Sequence, residues 1–363
     1  MLKGVRPRTS PRVEAAAAAS RKVFTLGALA AALALGAAGA VSAQDVSPPR
    51  LLDRVEAEAP KNAFGIPIEG WVRVRYSVLA NGATADVRVV DVMPPKMSTR
   101  AVVSAVEKWR FAPATAGGEP IDWHNNESLV VFDQADIPLE PSQFFARSYV
   151  QVVNLVSQQD YEKAKRQTET MLESQATRLN EIGLLQAQAA MLHVATSNLH
   201  DAYDAILRAT DPEVVTLQDP ELANALRYRF GIELELGRFE SALETYSRLA
   251  AIEDLPDDDA VKTQAEALRQ ALRPDAAIAI KGRVAREPWS YAPTRRTFGF
   301  SNVDGSIRGL ELECNRRKQA LEFSLDVEWS IPESWGACTL TVDARRDTTF
   351  TLVEFPTATA ASE

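Results

Sequence analysis

Apolar and polar positions alternate most clearly between residues 72 and 90. Val72, Val74, Tyr76 and Val78 interleave with Arg73, Arg75 and Ser77, the period of a half-buried strand. Asn81-Gly82 follows, and because both residues tolerate positive φ the pair predicts a tight turn. Val87 and Val89 then alternate with Asp86 and Arg88 in a second strand, which Pro94-Pro95 ends. Ser98 is the expected N-cap of a helix whose Val102, Ala105, Val106 and Trp109 fall on one face. Pro113 and Gly117-Gly118 close the helical region, and Leu129-Val130-Val131-Phe132 ends a third strand. The predicted order is strand, strand, helix, strand.

Between 142 and 273 the period becomes helical. Asp160-Tyr161-Glu162-Lys163-Ala164, Leu199-His200-Asp201-Ala202 and Gly237-Arg238-Phe239-Glu240-Ser241-Ala242 occupy equivalent places, with the alanines 38 and 40 residues apart. Each alanine stands where a second helix begins after a tight turn, and its small side chain lets two helices approach. The pattern resembles tetratricopeptide-type repeats with a period longer than the usual ~34 residues. Such helix pairs stack to bury their apolar faces, either as a protein-binding surface or as a spacer. After Arg273-Pro274, short alternating stretches such as Ile278/Ile280, Leu310/Leu312, Leu340/Val342 and Phe350/Leu352 are separated by turn signals including Asp304-Gly305 and Pro332-Glu333. They predict an antiparallel β-sandwich of roughly six to eight strands. Trp329 and Trp335 read as its core; Trp289 and Tyr291, near Arg295-Arg296, are open to a second reading as a platform for a sugar or peptide.

The first of these regions resembles the C-terminal domain of the TonB family. The residues that carry the resemblance are Ala59-Pro60, Glu69-Gly70-Trp71-Val72-Arg73-Val74-Arg75-Tyr76, Asn81-Gly82, Asp86 to Val90, Pro94-Pro95, and Lys108-Trp109-Arg110-Phe111 with Pro113, spread over about 59–132. The resemblance implies a small ββαβ fold whose last strand is an open edge. To that edge an extended segment of an outer-membrane transporter adds as a further strand, using the unpaired N–H and C=O groups of an edge. The corresponding edge here is Ser128, Leu129, Val130, Val131 and Phe132; the alternative is that the following domain covers it or that it is simply solvated. The chain also departs from the family. No histidine precedes His124, fewer than two dozen residues separate the N-terminal apolar run from the domain, Ala59 stands where the family has an aromatic, and some 230 residues follow.

The N-terminus and the cysteines set the compartment. Arg21-Lys22 precedes a run from Val23 to Val41 in which eleven residues are Ala or Gly, followed by Val41-Ser42-Ala43. Small residues at both cleavage positions predict a signal peptide cut between Ala43 and Gln44; an uncleaved inner-membrane anchor is the alternative. Either reading places the rest of the chain outside the cytoplasm, where Cys314 and Cys338, the only two cysteines, are expected to form a disulfide. The 363-residue chain carries 49 acidic and 40 basic residues, and without residues 1–43 the count is 48 to 34. So acidic a mature chain argues against nucleic acid as a partner. Residues 134–275 alone hold 24 acidic against 13 basic residues, which reads either as a solvated face or as a surface for a basic partner.

These readings define a multidomain α+β chain: signal peptide or anchor 1–43, linker 44–58, TonB-like domain 59–133, tetratricopeptide-like helical repeats 142–273, disulfide-bonded β-sandwich 276–355, and a disordered tail 356–363. The function expected is that of a non-enzymatic periplasmic interaction protein without a cofactor or metal. Its partners would be envelope proteins, an outer-membrane TonB-dependent transporter among them, with contact to the inner membrane only if the N-terminal segment is kept. The competing reading is an inner-membrane-anchored energy transducer. An enzyme would need a nucleophile or metal constellation, and His193 and His200, seven residues apart, bring no evident acidic third ligand.

Overall fold

The architecture was derived from a computed structural model, which describes residues 8–9, 46–61, 65, 67–134, 140–214, 216–272, 275–285 and 288–356. Ala43, Gln44 and residues 357–363 lie outside the described residues, and so do the expectations for the cleavage site and most of the tail. Arg8–Thr9 forms a two-residue strand, β1.

The expected hairpin forms β4 (Gly70–Val78) and β5 (Thr84–Met93), and β9 (Trp123–Phe132) completes an antiparallel sheet of order β5-β4-β9. Gly82 needs its glycine: its φ is +79°, and a Cβ there would stand 2.1 Å from the Phe111 carbonyl oxygen. Helix α1 (Arg100–Val106) lies on one face, where Val72, Val74 and Tyr76 meet Val102, Val106, Trp109, Phe111, Val130 and Phe132. Two expectations change here. The N-cap is Thr99 rather than Ser98, without a side-chain cap bond. Trp109 lies beyond the helix, in a tight turn in which its N–H donates to the Val106 carbonyl, and its indole N–H donates to the Val55 carbonyl at 2.9 Å. A seven-residue helix draws its stability from that packing rather than from its own propensity.

The stretch 44–58, expected as a linker, contributes strands instead. β2 (Val46–Ser47) pairs with β7 (Ala114–Ala116), and β3 (Arg50–Asp53) pairs with β6 (Arg110–Ala112). Gly117-Gly118, expected to close the helix, turns β7 into β8 (Glu119–Ile121). The side chains of β3 are all exposed, so main-chain pairing rather than an alternating apolar face makes it a strand.

Helices α2 (Gln143–Ser157), α3 (Tyr161–Ser174), α4 (Leu179–Ala195), α5 (Leu199–Ala209), α6 (Asp219–Leu236), α7 (Phe239–Ile252) and α8 (Ala260–Ala271) stack in sequence. The three hairpin turns share one device: Gln159, Ser197 and Gly237 have φ of 60°, 58° and 76°, each five residues before a fully buried alanine, Ala164, Ala202 or Ala242. The repeat expected from the alanines is thus a repeat of backbone geometry. Gly237 also meets the next module: a Cβ there would stand 2.2 Å from the Ala279 carbonyl oxygen.

The last module is a sandwich of two antiparallel sheets, β15-β12-β17-β10 and β11-β16-β13-β14, with β1 paired to β15. Its strands are β10 (Ile278–Arg283), β11 (Trp289–Tyr291), β12 (Thr297–Asp304), β13 (Ile307–Cys314), β14 (Arg317–Leu321), β15 (Val327–Ser330), β16 (Cys338–Ala344) and β17 (Thr349–Phe355). Cys314 and Cys338 face each other across β13 and β16 and are joined by a disulfide. Trp329 and Trp335 are core residues. Trp289 and Tyr291 are no open platform: they stack on each other, and the Arg238 guanidinium from the helical module lies 4.4 Å from the Tyr203 ring centroid and 5.2 Å from that of Tyr291. Arg295 and Arg296 are turned to backbone carbonyls of Ala276 and Gly336. Among the described residues no helix is long and apolar enough to cross a membrane.

Candidate partner-binding edge

β9 has one neighbour in its sheet, β4, in a register that sets Val130 opposite Val72 and Val131 opposite Trp71. Its two halves have different surroundings on the far side. At the start, the His124 N–H donates to the Asn315 carbonyl at 2.6 Å, and Asn125 Nδ2 donates to Thr339 Oγ1 at 3.3 Å, so the C-terminal sandwich covers this part. From Ser128 to Phe132, no backbone hydrogen bond reaches that side from another segment among the described residues. These contacts of the sandwich fall on His124 and Asn125, ahead of the edge expected from the sequence.

Both faces of this half-strand are occupied by the protein itself. Val130 and Phe132 belong to the core under α1, while Leu129 and Val131 pack with Trp71 and Met93 against Phe145, Val152, Ile182 and Leu185 of the helices. Ser128 Oγ lies 3.0 Å from the Tyr76 hydroxyl. The main chain along the outer edge is what remains to offer. Beside it lies a cleft of about 210 Å³, bordered by Arg54, Glu56 and Ala59 on one side and by Val130 to Gln134 on the other.

Glu69 anchors the end of the strand. Its carboxylate accepts the Gln134 N–H at 3.1 Å through Oε1 and the Leu179 N–H at 2.8 Å through Oε2, and Glu69's own N–H donates to the Thr177 carbonyl. Leu179 opens α4, so a buried carboxylate sits where the helix dipole and free N–H groups favour an anion. The helix start and the strand end are fixed by one side chain. Sequence reasoning used Glu69 only as part of a family pattern and missed this role; an acidic residue before an apolar strand was its only signal.

Ion pairs surround the packed face. Arg73 reaches Asp211 at 2.5 Å and Glu213 at 2.7 Å, and Asp91 accepts from Arg208 Nε at 2.9 Å and from Trp71 Nε1 at 2.8 Å. On the other side Arg88 and Lys318 pair with Glu313; burial pushes that carboxyl up, but the two cations outweigh burial and hold it below its ordinary value. His193 Nδ1 lies 4.0 Å from Asp201, and His200 faces the Lys281 carbonyl. No group of three or more metal-ligating side chains occurs among the described residues.

Residues 59–127 match the family described as Gram-negative bacterial TonB protein C-terminal. Protein TonB of Escherichia coli K12 is 34% identical over 71 residues, 20% of this chain and 30% of that protein. Protein TonB of Pseudomonas aeruginosa is 33% identical over 81 residues, 22% of this chain and 23% of that one. The solution NMR structure of the Pseudomonas aeruginosa TonB CTD is 27% identical, covering 25% of this chain and 91% of that chain with a TM-score of 0.22. The first module is a TonB-like C-terminal domain, and the match spans less than a third of the length of these two curated relatives.

Proposed function

We propose that this protein is a non-enzymatic interaction protein of the bacterial periplasm that captures an extended segment of another envelope protein by strand addition along Ser128 to Phe132. The helical repeats engage a further protein, and the N-terminal segment is a signal peptide cut between Ala43 and Gln44. The observation that carries the reading is the far side of β9, which has no ladder partner over Ser128 to Phe132 among the described residues while both faces of the strand are filled. A partner there is recognised mainly through its main chain. The likeness to Protein TonB supports a place in envelope transport, with an outer-membrane TonB-dependent transporter as the partner class.

Val130 and Val131 are consecutive, so one directs its N–H toward β4 and the other outward. The test is capture of envelope proteins by Val130→Pro and Val131→Pro, read beside thermal melts, with Val130→Ala and Val131→Ala as variants that keep the N–H. Proline at the outward position is expected to abolish capture with little loss of stability, and at the inward position to unfold the module. Capture retained by both folded proline variants would refute strand addition at this edge.

A further inference from the structure

Gly231 lies in the interior of α6, where glycine is less favourable than alanine. Glycines in such places usually make room for a neighbour. Here there is none: Gly231 is exposed, and a Cβ built on it meets no atom within 4 Å. What the missing side chain leaves is a groove of about 420 Å³ between the end of α4 and the face of α6, floored by Val194, Leu199, Tyr228, Gly231 and Ile232. Val194 and Tyr228 remain 36% and 42% exposed, so the floor of the groove offers apolar surface.

The charges at the rim are unequal. Arg227 is spent within the chain, held by Glu253 at 2.9 Å and Asp259 at 2.7 Å. Glu235, one turn from Gly231, makes no ion pair or hydrogen bond among the described residues. It stands in a segment with 24 acidic against 13 basic residues, so an acidic peptide or a second copy of this module would meet like charge.

We infer that this groove takes a segment of a partner protein that is both apolar and basic, its apolar side chains lying on Val194, Leu199, Tyr228 and Ile232 and a lysine or arginine beside Glu235. The inference rests on the helical-repeat part of the proposed function and is independent of the β9 edge. The groove fixes the apolar anchors and Glu235 selects the charge, the division of labour usual at protein interfaces.

The test uses the full chain and three labelled peptides, of alternating Leu and Lys, Leu and Glu, or Ser and Lys, titrated by fluorescence anisotropy at physiological salt. The Leu–Lys peptide alone is expected to bind. Gly231→Leu fills the groove from a position where the added Cβ meets no atom within 4 Å, and should weaken binding by about tenfold or more without lowering the melting temperature. Glu235→Lys should weaken it as well. Equal binding of the Leu–Glu peptide, or unchanged Leu–Lys affinity in Gly231→Leu, overturns the assignment, as does a dimer in sedimentation that Gly231→Leu dissociates. If Leu–Lys binding ignores Gly231→Leu but is lost when Asp257, Asp258 and Asp259 become Asn, the repeats bind elsewhere and only the groove is wrong. If no peptide binds and the outward proline variant of β9 abolishes all envelope capture, the helical-repeat reading falls with it.

Discussion

Trp71 lies on the face of the β5-β4-β9 sheet turned away from α1 and is fully buried, in one cluster with Met93 and the helical residues Phe145, Val152, Ile182 and Leu185. Trp71→Ala therefore opens a cavity between two modules rather than inside one. Truncating a buried aromatic of this size costs about 3–5 kcal/mol. The lost indole N–H adds little, because Asp91, partly exposed, keeps its bond to Arg208 and can take water in place of the indole. For a unit of this size about 2 °C of melting temperature follows each kcal/mol, so the midpoint should fall on the order of 5–10 °C. The form of the transition carries more information than its position. Scanning calorimetry of the wild type should show the TonB-like domain and the helices melting together, and Trp71→Ala should split or broaden that peak. Trp109→Ala, of equal cavity cost but confined to the core under α1, should lower stability while leaving the helical face of the sheet intact. A Trp71→Ala thermogram that superimposes on the wild type in midpoint and width would show that the shared core does not couple the modules.

Replacing both Cys314 and Cys338 with Ser should cost about 3 kcal/mol on the loop-entropy account and lower the melting temperature; thiol titration finding two free thiols in protein exported to the periplasm would remove the basis of this expectation. Stability should also decline with acid through His200. Burial foremost, then Arg238 and Arg283, pushes its imidazole down to about 4 against the accepting carbonyl of Lys281. The folded state thus resists the proton that the unfolded chain takes up near 6.5: this contribution is complete above pH 6.5 and is lost as pH falls toward 4. Urea melts at pH 7 and pH 5 on wild type and His200→Gln should show a smaller pH difference in the variant, and an equal one would count against the assignment.

Much of the fold was legible because single residues declare their conformation. Asn81-Gly82, the alternation of Val72, Val74 and Tyr76, and the alanines at 164, 202 and 242 each mark one local geometry, and each lies where the sequence places it. Longer-range events left weaker traces. Arg73 and Arg75 alternate with apolar residues and read as a solvent face, yet Arg73 meets Asp211 and Glu213 from 138 and 140 residues away. An arginine paired across modules and a solvated arginine look alike in a sequence. The neighbours Trp71 and Val72 were the better clue, since two consecutive apolar residues in a strand imply covered faces on both sides. β3 was illegible for the opposite reason: its side chains are exposed and only its main chain is paired. For the candidate edge, the place of Ser128 to Phe132 at the margin of its sheet was legible, and the contact of Asn315 with His124 just before it was not, because it joins residues 191 positions apart.

The shared core also imposes an order in time. Residues 46–134 are made before α4 and before Asp211 and Glu213, which seal the outer face of their sheet. As the chain is made from its N-terminus, Trp71, Met93, Leu129 and Val131 wait for the helices that cover them, Phe145 and Val152 first and Ile182 and Leu185 after. During that interval the nascent sheet presents a sticky apolar face beside an unpaired strand, the combination that favours misassembly between neighbouring chains. Arrival of the helices ends the exposure of that face, while the outer side of Ser128 to Phe132 keeps its unpaired main chain among the described residues.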